Sequence, residues 1–247
     1  MANASPDLRE QLEGLRADAA GGVRAAPMAG ILLTDAEIDH TAGLLLVRES
    51  SSALHVYGSD AVRRALLDGF PVLDILARFC GVEWRTLESA RPLAVAGSSL
   101  EVEAFPAGGD APRYLGEGAA DIEAIGLVFR DRSTGGVLTY VPGLARLDDE
   151  VLARLEASDA VLVDGTFWTD DELVELGISG RTARQMGHVP LSGPGGTLEA
   201  LTALTRPRKI LVHMNNTNPV LLEGSPQRDQ VRRAGVEVAY DGLELEL

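Results

Sequence analysis

The sequence predicts an α/β or layered α+β fold, organised as a single domain over residues 1–247. Apolar runs rich in β-branched residues alternate along the chain with segments whose apolar residues recur at helical spacing. Several helical segments open with Ser, Thr or Asp, which are preferred N-cap residues. A chain of this length with 45% hydrophobic and 24% charged residues can bury a sizeable core.

The apolar runs and the periodic segments give the order of the elements. The predicted strands are ILLT 31–34, HVYG 55–58, LEVEAF 100–105, IGLVFRD 125–131, VLTYVP 137–142, AVLVDGT 160–166 and KILVHMN 209–215. The predicted helices are 39–47, 59–67, 148–157, 170–176, 197–204 and 225–234, preceded by an amphipathic helix over 7–15. Residues 104–126 are rich in Gly, Ala and Pro, so we expect a long loop over or beside a functional site.

Composition and charge exclude several classes of protein. With 22 basic and 37 acidic side chains the net charge is −15, which disfavours binding to nucleic acid. No apolar run approaches the roughly 20 residues that a bilayer requires, and the first residues do not form a signal peptide. We therefore expect a cytoplasmic protein without a membrane partner. The single cysteine, Cys80, is expected to be a small buried residue.

The start of the chain is unusual, because it opens directly into an amphipathic helix without the strands that would normally cover it. We expect an N-terminally incomplete domain whose sheet has an unpaired edge, lowered stability and the possibility of forming a homodimer through that edge.

Chemically versatile side chains collect at the ends of three predicted strands, which is where α/β proteins build sites. The first strand leads into Asp35, Glu37, Asp39 and His40, and the AVLVDGT strand contains Asp164. The last strand contains His213, followed by Asn215, Asn216 and Asn218. His188 lies in a Gly/Pro-rich segment, MGHVPLSGPGG, where a histidine seldom serves as core filling. His55 has no acidic neighbour in sequence and is expected to be structural.

Several strings together resemble the family of pyrroloquinoline quinone (PQQ) synthesis protein B in the metallo-β-lactamase superfamily. They are NASPDLREQL, LTDAEIDHTAGLLLVRES, GFPVLDIL, FCGVEW, VDGTFWTDDEL, MGHVPLSGPGG and ILVHMNNTNP. The resemblance runs from the first residues to YDGLELEL and implies an αββα metallo-β-lactamase sandwich that lacks its first strands. It also implies that an N-terminal Cys-x-Cys-x-x-Cys zinc site of the family is missing here.

The superfamily resemblance implies a metal site formed by Asp39, His40, Asp164 and His213. Aligned with the superfamily motif Thr-His-x-His-x-Asp-His, the two earlier histidine positions fall on Asp35 and Glu37, so these acids should lie near the site without rebuilding a dizinc centre. Two imidazoles with carboxylates suit non-haem Fe(II), which is the metal we expect; zinc would bind but not oxidise.

Two further features of the predicted site concern the substrate. His188 is assigned to substrate contact or proton transfer, with Asp164 as a second catalytic residue. The glycine-rich residues 193–196 before a predicted helix are expected to present N–H groups to a carboxylate of the substrate.

The resemblance and the ligand types leave three functions open. The first is an iron-dependent oxygenase that hydroxylates a tyrosine-derived PQQ precursor. The second is a non-catalytic carrier of PQQ or its precursor, and the third is a metal-dependent hydrolase of the superfamily. In each case the partner is a small molecule.

Overall fold

The computed structural model describes residues 1–16, 28–116 and 122–247. The chain divides into two compact units. The first unit comprises Met1–Ser99 with Ala111–Glu123, and the second comprises Leu100–Asp110 with Ala124–Leu247. Each unit has its own cluster of buried apolar side chains.

The first unit contains a parallel three-stranded sheet. Strand β1 (Ile31–Leu32) pairs with β2 (Leu54–Gly58), and β2 pairs with β3 (Val82–Thr86). A short strand, β4 (Leu93–Ala94), follows along the chain. Strands β3 and β4 were not predicted, because VEWRT alternates with charged side chains and LA is too short to give a pattern.

The helices of the first unit are short. They are α1 (Leu8–Arg16), α2 (Ile38–Thr41), α3 (Asp60–Asp68) and α4 (Val72–Ala77). The predicted helix 39–47 is helical throughout but changes type, since a 3-10 helix over Ala42–Val47 continues α2. Helix α3 begins as expected, because the Ser59 side chain accepts a hydrogen bond from the backbone N–H of Val62.

The N-terminal residues extend this sheet. Leu32 N–H donates to the carbonyl of Met1 at 2.8 Å, and Asn3 N–H donates to the carbonyl of Leu32 at 2.7 Å. Leu8 and Leu12 of helix α1 are buried in the core of the unit. Met1–Asn3 runs parallel to β1 and pairs with it, so β1 itself is not an unpaired edge among the described residues. The expectation of an N-terminally incomplete domain stays a prediction.

The second unit is built on six strands in one sheet, in the order β10-β9-β8-β7-β6-β5. The strands are β5 (Leu100–Gly108), β6 (Ala124–Asp131), β7 (Val137–Val141), β8 (Ala160–Asp164), β9 (Arg208–Val212) and β10 (Val236–Val238). Strands β5 to β7 pair antiparallel, whereas β7 to β10 pair parallel. The helices are α5 (Asp149–Glu156), α6 (Glu172–Glu175), α7 (Thr197–Ala203) and α8 (Pro226–Arg233).

The predicted long loop is much shorter than expected. Strand β5 continues to Gly108, and β6 already begins at Ala124, so the range 104–126 was wrong at both ends. The 3-10 turn Arg113–Leu115 lies between them, and residues 117–121 are outside the described chain. The prediction failed because the last residues of β5 interrupt the alternation of apolar and polar side chains that indicates a strand; they are Pro106, Ala107 and Gly108.

Parallel pairing brings the ends of β8 and β9 together. Asp164, the last residue of β8, is paired in register with Val212, the last residue of β9. His213 follows directly, so the two strand-terminal polar residues found in the sequence become neighbours. Beside Asp164, Gly165 N–H donates to the carbonyl of Val212 at 2.8 Å, which keeps the two strand exits close.

The structure also bears on three smaller expectations, which concern Cys80, His55 and membrane-spanning helices. Cys80 is half-buried rather than fully buried, with Sγ 3.8 Å from the carbonyl oxygen of Leu76. His55 does have an acidic neighbour, since the β2–β3 register places Glu83 Oε2 3.1 Å from its Nδ1. The longest described helices, α1 and α3, have nine residues each, and none of the helices described could cross a membrane.

The contact between the N-terminal segment and the α2 region gives a stability prediction. A side chain added at Gly43 would place its Cβ 2.2 Å from the carbonyl oxygen of Ser5 and 2.8 Å from that of Ala4. We expect Gly43→Ala to lower the free energy of unfolding by about 1–3 kcal/mol. Gly180→Ala is the control, because nothing lies within 4 Å of the Cβ added there. Equal melting temperatures for the two variants in calorimetry would contradict the expected clash.

Candidate metal centre

A buried carboxylate at the end of β8 organises the polar cluster of the second unit. Asp164 is 1% exposed, and each of its oxygens contacts two donors. Oδ1 accepts the backbone N–H and the hydroxyl of Thr166, at 2.9 and 2.5 Å. Oδ2 accepts the backbone N–H of Leu144 at 2.9 Å and lies 2.6 Å from Nδ1 of His188. A carboxylate has about four lone-pair positions, so these contacts saturate it.

Electrostatics keep this carboxylate ionised. Burial raises the pKa of Asp164, but the charge and hydrogen bond of His188, followed by those of His213, outweigh burial and hold that pKa below its ordinary value. An ionised carboxylate only accepts hydrogen bonds, so Nδ1 of His188 must donate to it. The other ring nitrogen of His188, Nε2, is then the one that can take a proton or a ligand.

His213 joins the cluster through the hydroxyl of Thr166. Its Nδ1 lies 2.8 Å from Thr166 Oγ1, which also lies 3.2 Å from Nδ1 of His188. The backbone of His213 has a φ of 56°, in the left-handed region that non-glycine residues seldom adopt. Such a conformation costs of order 1–3 kcal/mol and concentrates at functional sites. The strand exit is therefore held in a strained geometry that places this ring beside Asp164.

The two imidazoles stack on one another. The ring centroids of His188 and His213 are 5.6 Å apart at an interplanar angle of 24°, and Phe167 contacts His188 edge to face. Ligand atoms of Asp164, His188 and His213 lie within 4.8 Å of one another. Two imidazoles and one carboxylate are a donor set that suits Fe(II) or zinc, so the residue types present fit a divalent metal.

A second layer of buried polar groups ties the two strand exits together. Asn218 is 1% exposed and donates from Nδ2 to the carbonyl of Gly165 at 2.8 Å. Glu172 accepts the N–H of Trp168 at 2.7 Å and the hydroxyl of Thr217 at 2.5 Å. These contacts join the segment after β8 to the segment after β9, which fixes the positions of the residues they carry.

The asparagines predicted near the site have different roles. Asn215 donates its backbone N–H to the carbonyl of Thr166 at 3.0 Å and its amide to Thr217 at 2.7 Å, so it supports the loop. Asn216 is exposed. The buried member of the NNTN string is Asn218, which the sequence analysis named after His213 without giving it a role; Asn before Pro commonly opens a turn.

The first unit contains a comparable carboxylate–imidazole pair. His40 is 7% exposed, and its Nδ1 lies 2.8 Å from both carboxylate oxygens of Asp35. Burial raises the pKa of Asp35, but the charge and hydrogen bonds of His40 outweigh it and hold that pKa below its ordinary value. Asp35 therefore contacts the imidazole at Nδ1, which leaves Nε2 as the nitrogen suited to a metal.

Asp35 is itself held by the start of the chain. Thr34 donates its hydroxyl to Asp35 at 2.8 Å, and the side chain of Asn3 makes hydrogen bonds to both the side chain and the backbone of Thr34. Asn3 Nδ2 donates to Thr34 Oγ1 at 2.9 Å, while Asn3 Oδ1 accepts the backbone N–H of Thr34 at 3.0 Å. The N–H of Ala4 donates to the carbonyl of His40 at 2.7 Å. Residues 3 and 4 thus support His40 from both its side chain and its backbone.

The remaining acidic residues of this segment lie at the surface. Glu37 and Asp39 are both exposed. Tyr114 donates its hydroxyl to the carbonyl of Ala36 at 2.8 Å, and burial together with the charges of Glu37 and Asp35 raises the pKa of Tyr114 to about 12. Tyr114 fixes the acidic segment from outside and was not found by sequence analysis, because its partner is 78 residues away.

Three N–H groups at the end of the glycine-rich residues 193–196 and at the start of the following helix are engaged within the turn. Gly196 N–H donates to the carbonyl of Gly193, Thr197 N–H to that of Pro190 and Leu198 N–H to that of Leu191, each at 3.0 Å. The helix that follows is only seven residues long. The expectation of a carboxylate-binding loop is wrong for the N–H of Gly196, which closes the turn itself, and stays a prediction for the N–H groups of Gly193 and Gly195.

The structure thus brings predicted site residues together within each unit. Asp164, His188 and His213 form one cluster in the second unit, and Asp35 with His40 forms another in the first, next to Asp39 in the chain. The four-residue ligand set Asp39, His40, Asp164 and His213 draws on both units and stays a prediction. Thr166 was missed, although a threonine two residues after a strand-terminal aspartate is a typical turn residue.

Comparisons with known proteins agree with the resemblance seen in the sequence. The family model of the beta-lactamase superfamily domain matches residues 1–214. Coenzyme PQQ synthesis protein B of Methylococcus capsulatus is 45% identical over 99% of this chain and 82% of its own length. The protein of the same name from Cupriavidus necator is also 45% identical, over 100% of this chain and 83% of its own.

Solved structures give the same fold. Zn²⁺-bound PqqB from Methylobacterium extorquens superimposes with a TM-score of 0.90 at 33% identity, covering 100% of this chain and 82% of that one. A diphosphatase of the PhnP family matches with a TM-score of 0.65 at 17% identity, over 99% of this chain and 77% of that one, which bears on the fold alone. The predicted metallo-β-lactamase fold is confirmed. The chain belongs to the beta-lactamase superfamily and, within it, to the coenzyme PQQ synthesis protein B family.

Proposed function

We propose that this chain acts in PQQ biosynthesis as an Fe(II)-dependent oxygenase that hydroxylates a tyrosine-derived precursor. Membership of the PQQ synthesis protein B family supports the role in the pathway. The observation that carries the proposed chemistry is the buried carboxylate of Asp164 beside the imidazole of His213 at the exits of β8 and β9, with the stacked ring of His188 next to them. Imidazole and carboxylate ligands with open positions are typical of non-haem Fe(II) oxygenases.

The residues proposed to hold the metal are Asp39, His40, Asp164 and His213. The imidazoles are well prepared, since His40 is oriented by Asp35 and His213 by Thr166. Asp164 would have to exchange one of its four present donors for the ion. When bound, Fe(II) supplies the redox chemistry with dioxygen that amino-acid side chains lack. PqqB from Methylobacterium extorquens was crystallised with Zn²⁺, which supports a divalent metal in this family.

The chain's own residues supply orientation and proton transfer. Asp164 fixes His188 with Nδ1 as donor, so Nε2 of His188 can accept a proton from the substrate or return one. Phe167 contacts that ring in an edge-to-face geometry, with the ring centroids 5.8 Å apart. A hydroxylation that uses O₂ puts one oxygen atom into the product and reduces the other to water, so an external electron donor must be supplied in an assay.

The deciding experiment combines metal analysis with the mass of the product. We expect protein prepared without oxygen to bind one Fe(II) per chain and, with precursor, reductant and ¹⁸O₂, to form a product carrying one ¹⁸O atom. The zinc-loaded protein is the control and should bind substrate without turnover, because zinc has no redox chemistry. Unchanged precursor with tight binding of finished PQQ would favour the carrier, and hydrolysis with two zinc ions per chain would favour the hydrolase.

A substitution at His188 separates proton transfer from metal binding. We expect His188→Gln to lower kcat by about 10²–10⁴-fold, the usual contribution of a general acid or base, while iron content stays at the wild-type level. His55→Gln is the matched control, because this half-buried histidine pairs with Glu83 away from the cluster. Loss of iron from the His188 variant would contradict the assignment and make His188 a ligand.

A further inference from the structure

The hydroxyl of Thr166 lies at the centre of the polar cluster in the second unit. It is within hydrogen-bond distance of four atoms: Oδ1 of Asp164, Nδ1 of His188, Nδ1 of His213 and the backbone oxygen of His213. Thr166 itself is 7% exposed, so its hydroxyl interacts mainly with protein groups. A hydroxyl has a single proton, and the neighbour that receives it decides the protonation of the others.

The distances assign that proton to Asp164. Oγ1 of Thr166 is 2.5 Å from the carboxylate oxygen but 2.9 Å from the carbonyl oxygen of His213. A short hydrogen bond to an ionised acceptor is stronger than one to a neutral carbonyl. Without the proton between them, the two oxygens at 2.5 Å would repel each other. Thr166 therefore donates to Asp164, and its oxygen can accept a hydrogen bond from Nδ1 of His213.

The protonation of His213 follows from this assignment. Nδ1 of His213 lies 2.8 Å from a hydroxyl oxygen whose proton is committed to Asp164, so Nδ1 must carry the hydrogen. Nδ1 carries a hydrogen in the charged and in the neutral ring alike, so Nε2 is the nitrogen that loses its proton and offers the lone pair when the ring is neutral. We propose that Thr166 is a positioning residue that relays the charge of Asp164 to His213 and fixes Nε2 of His213 as its metal-binding nitrogen.

The relay explains how one carboxylate controls two imidazoles. Asp164 accepts directly from Nδ1 of His188 through Oδ2 and indirectly from Nδ1 of His213 through the hydroxyl bound to Oδ1. Both rings are thereby set with Nε2 as the basic nitrogen, and they are stacked with their centroids 5.6 Å apart. The role in metal binding rests on the proposed function, whereas the tautomer of His213 can be measured without any metal.

The test measures the tautomer of His213 directly. The chain has only four histidines, so ¹⁵N NMR of histidine-labelled, chelator-treated protein resolves them, with His213→Gln assigning the signal. We expect Nδ1 of His213 to be protonated in the wild type and in Thr166→Ser, and this preference to be lost in Thr166→Val, which keeps the shape but not the hydroxyl. Protonation of Nε2 in the wild type, or an unchanged His213 in the valine variant, would overturn the relay.

Metal affinity provides the second readout. Removing an outer partner of a metal-binding histidine typically weakens binding by about 10–100-fold. We expect that loss for Zn²⁺ titrated into Thr166→Val and wild-type affinity for Thr166→Ser. If Thr166→Val does not fold, Thr166→Ala serves in its place. A wild type that shows the Nδ1–H tautomer but binds no metal would refute the proposed metal function while supporting the relay, so the two failures are distinguishable.

Discussion

The buried charge of Asp164 is the constraint on which the second unit's polar cluster depends. Removing an ionised carboxylate from water is expensive unless hydrogen bonds replace its hydration. Here the replacement comes from Leu144 after β7, from Thr166 after β8 and from His188 far along the chain. Because all of these donors must reach the same carboxylate, the chain segments that carry Leu144, Thr166 and His188 are held together at the end of β8. Loss of this carboxylate would leave these donors, and not only a metal, without a partner.

The first unit uses the same three residue types in another order. A threonine hydroxyl donates to a buried aspartate in both places, Thr34 to Asp35 and Thr166 to Asp164. Each aspartate then contacts Nδ1 of a histidine within 2.8 Å, which orients the ring. The difference lies in the support behind the threonine, since Asn3 brackets Thr34 whereas Thr166 contacts two imidazoles. Orientation of imidazoles by buried carboxylates is thus a shared principle of the two units.

The sequence predicted what depends on local pattern. The strands with long apolar runs, the caps at Ser59, Asp148 and Ser225, and the strand-terminal positions of Asp164 and His213 all follow from neighbours in the chain. What it missed depends on distant partners, as with Tyr114 contacting Ala36 and Glu172 contacting Thr217. Strand β5 was cut short for a related reason, since Pro and Gly inside a strand remove the pattern while neighbouring strands preserve the pairing.

The hydrogen bonds of Asp35 explain why an acidic residue occupies this position after the first strand. Asp35 falls where the superfamily motif has a metal-binding histidine. Its two carboxylate oxygens nevertheless accept hydrogen bonds from the hydroxyl of Thr34, the backbone N–H of Glu37 and Nδ1 of His40. A position that would supply a neutral ligand to a second metal instead supplies a negative charge behind His40. That charge increases the basicity of the remaining imidazole and removes one donor from any second ion. Under the proposed function, exchanging a ligand for an orienting carboxylate therefore favours the binding of one metal ion over the binding of a pair.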